Sequence, residues 1–564
     1  YTLTLGPHSF YWLALSAPAT HPEHAAVAAA PRRVDLKRRA PTVIDPTLTL
    51  TIQRELPAFL ARQSWFEGRG RGLRRAEIKD LVSISRDPKR RTLAIVELTY
   101  REGEVESWLL VLGVAAAEHA ERIAQQTPEA IIVEAEGASG SWLVWEASAD
   151  TDLGQALTEV IGGQRRRFAK AGVLVARRTS VYPLIAHGAQ PSEGSQLARV
   201  EQRVNTVVLG ERSVMKIFRR LGSGPNPELE LGRALTEGAR FASVPLVAGS
   251  IEYLPARGDP LTLALLRAYA PADGDLAAIT AGSLRSIHAD AGRTGAPDPR
   301  TTRDAFQQDL ERCGLLAVRL AELHLALASI DEPPFRPEEY TKLGQRSLYQ
   351  SLRSLAVTVL DALRARKRTL PPPTAALARA VQRREAELDR RLRWLLTATV
   401  QCVRIRVHGD LHLGHVLVAA GDLVFIDLEG ERWRSTSERR LKRSSLRDLA
   451  ALLASYDDIA YQAATEAEAA GAEEEVVQAL TRRWTSEVRQ RLLAGYLGAL
   501  KGSRLVPQDP AIVRGLLDVL LVERALGEAW GALSNGTRDI DPPLRRLAEL
   551  LRSRKVATRS ARVD

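Results

Sequence analysis

An α/β (α+β) fold in two lobes, strand-rich at the front and mostly helical at the back, follows from three features of this sequence. Before residue 272, short runs alternate apolar and polar residues, as in Thr92–Tyr100, Ser107–Gly113 and Leu261–Ala270, the period-two pattern of half-buried strands. Beyond Gly274 the apolar residues switch to helical spacing in Leu/Ala/Arg-rich segments reaching residue 400, and again over 444–467, 470–500 and 510–533. Into this helical half the chain inserts a hairpin. Val416–Val418 and Leu423–Ile426 read as short strands joined at Ala420–Asp422.

The hairpin is flanked by carboxylates. His408-Gly-Asp410 precedes it, and Asp427-Leu-Glu429 follows its second strand. The return of the chain lets Asp410 and Asp427 face one cleft, a geometry that phosphoryl transfer needs: one Asp orients the acceptor hydroxyl, the other holds a metal ion against the phosphates. Alone, the stretch also admits a purely structural reading, because His-Gly-Asp is a common loop tripeptide and an Asp after a strand often caps a helix.

Further parts lie upstream in a matching order. Val207–Leu209 and Val214–Phe218 read as strands around a Gly-Glu turn, with Lys216 projecting between apolar neighbours. Such a lysine can contact nucleotide phosphates when a carboxylate holds it. Pro227 marks a helix start, and Glu230, beside Leu231 and Leu235, is the expected ion-pair partner of Lys216, ahead of Glu228. A solvated lysine and an acidic first helical turn favoured by the helix dipole are the alternatives.

These segments resemble the maltokinases. The resemblance is carried by Glu201-Gln202, Asn205-Thr206, Lys216–Arg220, Gly224–Glu230, Ala321–Ala326, His408–Leu417, Ile426–Glu431 and Arg443–Asp448, and in front by Leu56–Leu60 and Ser64–Arg71. It spans roughly 45–555. It implies a fold like that of the aminoglycoside phosphotransferases: a bilobal protein-kinase-like fold with a small N-terminal cap and a mostly helical C-lobe. The implied reaction moves the γ-phosphate of ATP to the anomeric hydroxyl of maltose. In these terms Asp410 is the catalytic residue, and Lys216, Glu230, Asn205 and Thr206 serve the nucleotide. Asp427, His415 and Glu429 serve the metal, Mg²⁺ or Mn²⁺. Glu523, Glu528, Trp530 and His408 are the residues of the sugar side. Two of these have a second reading: Glu429 as a solvated side chain, and His408 as a buttress of its loop.

The chain departs from the family at four places. His415 stands where an amide is usual, and imidazole favours Mn²⁺ or Zn²⁺ over Mg²⁺. Val204-Asn-Thr-Val207 lacks two hydroxyls of the usual phosphate loop, and Gly274–Ala277 lacks an aromatic. Trp530 replaces an arginine in the sugar-side segment. A related small-molecule phosphotransferase with another acceptor, and a non-catalytic kinase-like module, are the alternatives.

The expected organisation has six parts. Residues 1–17, two alternating runs around Gly6-Pro7, are similar to the last strands of trehalose synthases, and 18–46 reads as an Ala/Pro/Arg-rich linker. The cap covers 47–150, the N-lobe 151–272, the helical C-lobe 273–555 and a tail 556–564. This implies a trehalose synthase domain in cis or in complex. Length gives about three or four domains, and Cys313 and Cys402 are too few for a disulfide framework. A cytoplasmic enzyme is expected: no run nears the roughly 20 apolar residues of a membrane span, and there is no secretory leader. The net charge of +11 is dispersed through helices without interleaved aromatics, which argues against nucleic acid.

Overall fold

The computed structural model describes residues 33–35, 44–84, 91–137, 140–148, 150, 152–186, 196–200, 204–210, 212–294, 299–535 and 539–552. The strand runs expected before residue 17, most of the 18–46 linker and the 556–564 tail lie outside them. The chain divides into two compact units. The first comprises 1–178, 186–223 and 249–266; the second comprises 179–185, 224–248 and 267–564. This division does not follow the boundaries expected at 150 and 272: cap and front-lobe strands share a unit, and the helix Pro227–Arg233 belongs to the second.

Two sheets build the first unit. In one, the strands run in the order Arg33–Asp35, Ile131–Gly137, Gly140–Glu146, Val105–Ala116, Arg91–Tyr100, Leu73–Ser83. The helix Pro46–Arg62 packs in the same apolar cluster through Leu48, Ile52, Leu56, Phe59 and Leu60, the spacing of one helical face. It starts where Asp45 accepts from the Leu48 amide at 2.8 Å and Pro46 needs no donor. The other sheet runs Arg166–Phe168, Gly172–Arg178, Val247–Pro255, Leu261–Ala268, Ser213–Phe218, Val204–Leu209, Gln196–Val200.

The sheets are joined by a short run after Lys216. Arg220–Leu221 pairs antiparallel with Ser107–Trp108 of the cap. Arg219, 3% exposed, reaches Asn205 Oδ1 at 3.0 Å and Ser148 Oγ at 2.8 Å, lies 3.6 Å from Glu146 and stacks on Trp65. A buried guanidinium needs such partners. They explain why the cap does not separate at residue 150.

The second unit is helical around one apolar core. Leu446–Ala469, Glu474–Ala499 and Pro510–Asn535 form three of its long helices, within a few residues of the sequence expectation. The hairpin Val416–Ala419/Asp422–Phe425 is present in register, with Gly274–Asp275 paired on Val416–Ala419. Ala420 and Gly421 at its tip take positive φ (49° and 78°), the conformation a two-residue turn requires. Arg319 grips the tip, donating to both carboxylate oxygens of Asp422 at 2.8 and 2.9 Å.

Candidate active site

The loop before the hairpin is held by one buried carboxylate. Asp448, near the start of the helix Leu446–Ala469, accepts the amides of His408 at 2.8 Å and Gly409 at 2.9 Å. The same side chain accepts from His324 Nε2 at 3.1 Å, and His324 Nδ1 meets the Tyr496 hydroxyl at 2.7 Å. Burial alone would raise the Asp448 carboxyl. The hydrogen bond and charge of His324, with the loop amide, outweigh it and hold the carboxyl below its ordinary value. Gly409 has φ 84°, which a side chain there would strain.

His408 is 1% exposed and donates from Nε2 to the Ile426 carbonyl at 2.9 Å. It ties the loop to the strand end and is not placed to touch a sugar; of its two readings the structure takes the buttress. His415 donates from Nδ1 to the Asp410 carbonyl at 2.9 Å, leaving Nε2 3.7 Å from Asp427 Oδ2. Asp427 itself has φ 61°, uncommon for a non-glycine residue.

His412 joins this group. Its ring lies 3.7 Å from that of His415, centroid to centroid, and ligand atoms of Asp410, His412 and His415 lie within 4.8 Å of one another. Burial and the neighbouring His415 push the His412 imidazole down to about 3, so it is neutral and able to donate a lone pair. These nitrogen and oxygen donors fit a divalent ion of borderline character better than Mg²⁺. Nothing in the sequence reading singled out His412.

Asp410 is half-buried and bound by Arg524, whose Nη1 donates to Oδ1 at 2.8 Å. Burial would raise this carboxyl, but Arg524 and the two imidazoles hold it well below the carboxylate range. Arg524 also donates from Nε to Glu528 at 2.6 Å and sits 3.8 Å from Glu431. Around it extends a lattice. Arg434 and Arg447 each bind both Glu431 and Glu523, and Arg546 donates to the other Glu528 oxygen at 2.6 Å. Gly409, Glu431, Arg447, Leu520, Glu523 and Arg524 line a narrow cleft with room for about 10 Å³.

The lattice reassigns the expected sugar-side residues. Glu523 is 3% exposed and shared between arginines, and Glu528 lies between Arg524 and Arg546. Trp530 packs on the apolar core, and the charged donor beside Asp410 is Arg524, a residue the sequence reading passed over. Glu429 is buried, with Arg432 3.6 Å from its carboxylate, so the solvated reading does not hold.

Glu230 is also reassigned. The helix begins at Pro227, capped by Asn226, as expected. The carboxylate, however, accepts from Arg440 at 2.7 and 3.0 Å and from Arg406 at 2.6 Å. Burial opposes its charge, and the two guanidiniums lower its pKa regardless. Both of its oxygens are thus taken by arginines of its own unit. Glu228, on the same helix, lies 3.4 Å from Arg267.

In the first unit Lys216 is 4% exposed on the strand Ser213–Phe218, directly opposite Thr206. Directly paired residues share a sheet face and successive ones alternate, so Thr206 lies on the lysine's face and Asn205 on the other. Asn205 is fully buried on Arg219, which corrects its expected contact with phosphate.

Comparison with known proteins agrees with this architecture. Residues 197–433 match the Phosphotransferase enzyme family (APH). A glucosamine kinase of Streptacidiphilus jiangxiensis is 25% identical over 283 residues, which are 48% of this chain. The chain spans 56% of that relative's length. A glucosamine kinase structure (crystal form B) superposes with a TM-score of 0.59 at 17% identity, covering 90% of this chain and 99% of the other. Another, in complex with glucosamine, ADP and inorganic phosphate, gives 0.55 at 18% identity over 84% and 93%. The chain has an aminoglycoside-phosphotransferase-like kinase fold. Among its described residues no helix is long and apolar enough to cross a membrane.

Proposed function

We propose that this protein is an ATP-dependent kinase that phosphorylates a sugar hydroxyl. The observation that carries the proposal is the loop His408-Gly-Asp410, fixed by Asp448 and followed by Asp427 at a left-handed backbone position. Asp410 orients the acceptor hydroxyl. Its depressed pKa makes it a weak base, and that suits a loose transition state in which alignment matters more than early proton removal. Lys216 and Thr206 bind the nucleotide phosphates. Asp427 and His415 are the residues to hold Mg²⁺ or Mn²⁺, which when bound offsets charge on the phosphates.

For the acceptor we favour maltose at its anomeric hydroxyl, with a trehalose synthase domain as its source, on the motifs that resemble the maltokinases and the run Tyr1–Leu15. What supports a neutral sugar is the lattice: Glu431, Glu523 and Glu528 are each balanced by guanidiniums, so none offers an unpaired carboxylate to an ammonium. Glucosamine is the second reading, favoured by the relatives that bear that name. An assay with ATP, Mg²⁺ or Mn²⁺ and each sugar, read by phosphorus NMR of the product, separates them. Maltose 1-phosphate is expected. Turnover of glucosamine alone would replace the first reading by the second, and no transfer to any sugar would refute both. Asp410→Asn is expected to cut kcat by roughly 10³-fold or more, with ATP affinity unchanged.

A further inference from the structure

The two arginines that hold Glu230 also line a pocket that none of the roles above uses. It measures about 440 Å³, and Arg404, Arg406, Arg440, Lys442, Arg443 and Glu338 are among its walls. All belong to the second unit. Arg404 (3.2 Å) and Lys442 (2.8 Å) share Glu338. Arg406 and Arg440 share Glu230. Four cations thus rest on two carboxylates, and the fifth, Arg443, feels Glu523 and Glu431 of the lattice. Lys442 further donates to the Pro333 carbonyl at 3.0 Å.

A second observation points to a ligand. Arg406 is 1% exposed and lies over the Phe335 ring, yet its Nη2 has no hydrogen-bond partner among the described residues; neither has Arg404 Nε. Buried donors are nearly always paired. Both residues line the pocket, so its basic wall keeps guanidinium hydrogen-bonding capacity that the two carboxylates do not use.

We propose that this pocket binds a phosphate monoester, and that its occupation loosens the helix Pro227–Arg233. The dianion matches the excess of two positive charges, and its oxygens match the fork of a guanidinium. The volume admits a sugar phosphate, the class of product the kinase reading supplies; that choice of ligand rests on that reading, whereas the anion site does not. An anion beside Arg406 and Arg440 draws these guanidiniums away from Glu230, so its binding is coupled negatively to the anchoring of the helix. Accumulated product, or inorganic phosphate, then restrains the enzyme from a site separate from Asp410 and Asp427.

The test uses the full chain saturated with ADP and Mg²⁺, so that nucleotide positions are filled, titrated calorimetrically with inorganic phosphate and with glucose 1-phosphate. Binding is expected below about 10 mM and should weaken by about tenfold or more in the double variant Arg404→Ala/Lys442→Ala. That variant should keep its melting temperature and its rate without added anion, and lose inhibition by the anion. Lys216→Met serves as the control and should bind the anion as the parent does. The proposal falls if the double variant binds equally well, if the Lys216→Met control loses binding, if neither anion binds, or if inhibition persists in the double variant. Because binding is read without turnover, a failure of the kinase reading leaves this result interpretable.

Discussion

The loop His408–Asp410 and the arginine lattice around Arg524 are both organised by buried carboxylates, but in different ways. Asp448 accepts two neutral backbone amides of the loop, 40 and 39 positions before it, and is braced by the His324 imidazole 124 positions before it. Glu431, Glu523 and Glu528 are bound by guanidiniums drawn from separate stretches of the C-lobe, with Arg524 reaching Asp410 across 114 positions. In the first region one carboxylate fixes backbone geometry. In the second, each carboxylate has more than one partner and the partners are shared, so the lattice sets charge more than shape. Hydrogen bonding to the backbone therefore governs where Asp410 points, and ion pairs between side chains govern how basic it is.

That contrast can be broken at its strong end first. Asp448→Ala removes the acceptor of two buried amides, each costing about 1–3 kcal/mol when unsatisfied. A loop displaced by even an ångström loses roughly 100-fold in kcat. Stability by chemical denaturation and kcat should fall together. Undiminished kcat would show that the loop holds its shape without Asp448.

Within the lattice, Glu523→Gln leaves Arg434 and Arg447 with one fewer carboxylate at a buried site, and breaking such a pair costs about 3–5 kcal/mol. The expected signature is lowered stability with kcat changed less than by Asp448→Ala. A kcat loss matching that of Asp448→Ala would mean that the two regions are not separable.

A smaller effect sharpens the same division by pH. Burial opposes the charge of Glu523 and Glu528, yet their guanidinium partners leave both pKa values lowered. A carboxylate depressed on folding stabilises above its unfolded value, near 4.3, and that contribution is lost as pH falls through the folded value. The melting temperature should therefore drop with acidification below about pH 4.5, with a shallower slope in Glu523→Gln. Equal slopes would remove Glu523 from the account.

Much of the loop was legible in the sequence because its determinants are local. The hairpin, its turn at Ala420–Asp422, the helix start at Pro227 and the strand bearing Lys216 all follow from short-range periodicity and turn chemistry. The lattice was not, because ion pairing has no sequence period: Arg524 lies beside Glu523 in the chain, yet only the packing of the helix Pro510–Asn535 shows that it meets Asp410. The same reason explains Glu230. Helical position made it a fair partner for Lys216, but Arg406 and Arg440, some 176 and 210 positions away, take its carboxylate. Asn205 failed more simply, since strand alternation turns it from the face that Thr206 and Lys216 share. Asp448 and His324 lay within motifs that carried the family resemblance, without a role attached until their hydrogen bonds were seen.

The stapling of Arg219 gives the cap a meaning beyond shape. Trp65, Glu146 and Ser148 come from the cap, while the guanidinium they enclose sits three positions from Lys216 on the same run of chain. A chain trimmed to begin after residue 150 would strand that guanidinium without its carboxylate and expose the edge that Arg220–Leu221 now shares. The cap is thus no detachable accessory that evolution could shuffle freely; the strand bearing Lys216 inherits its rigidity from residues that a modular view would assign to another protein.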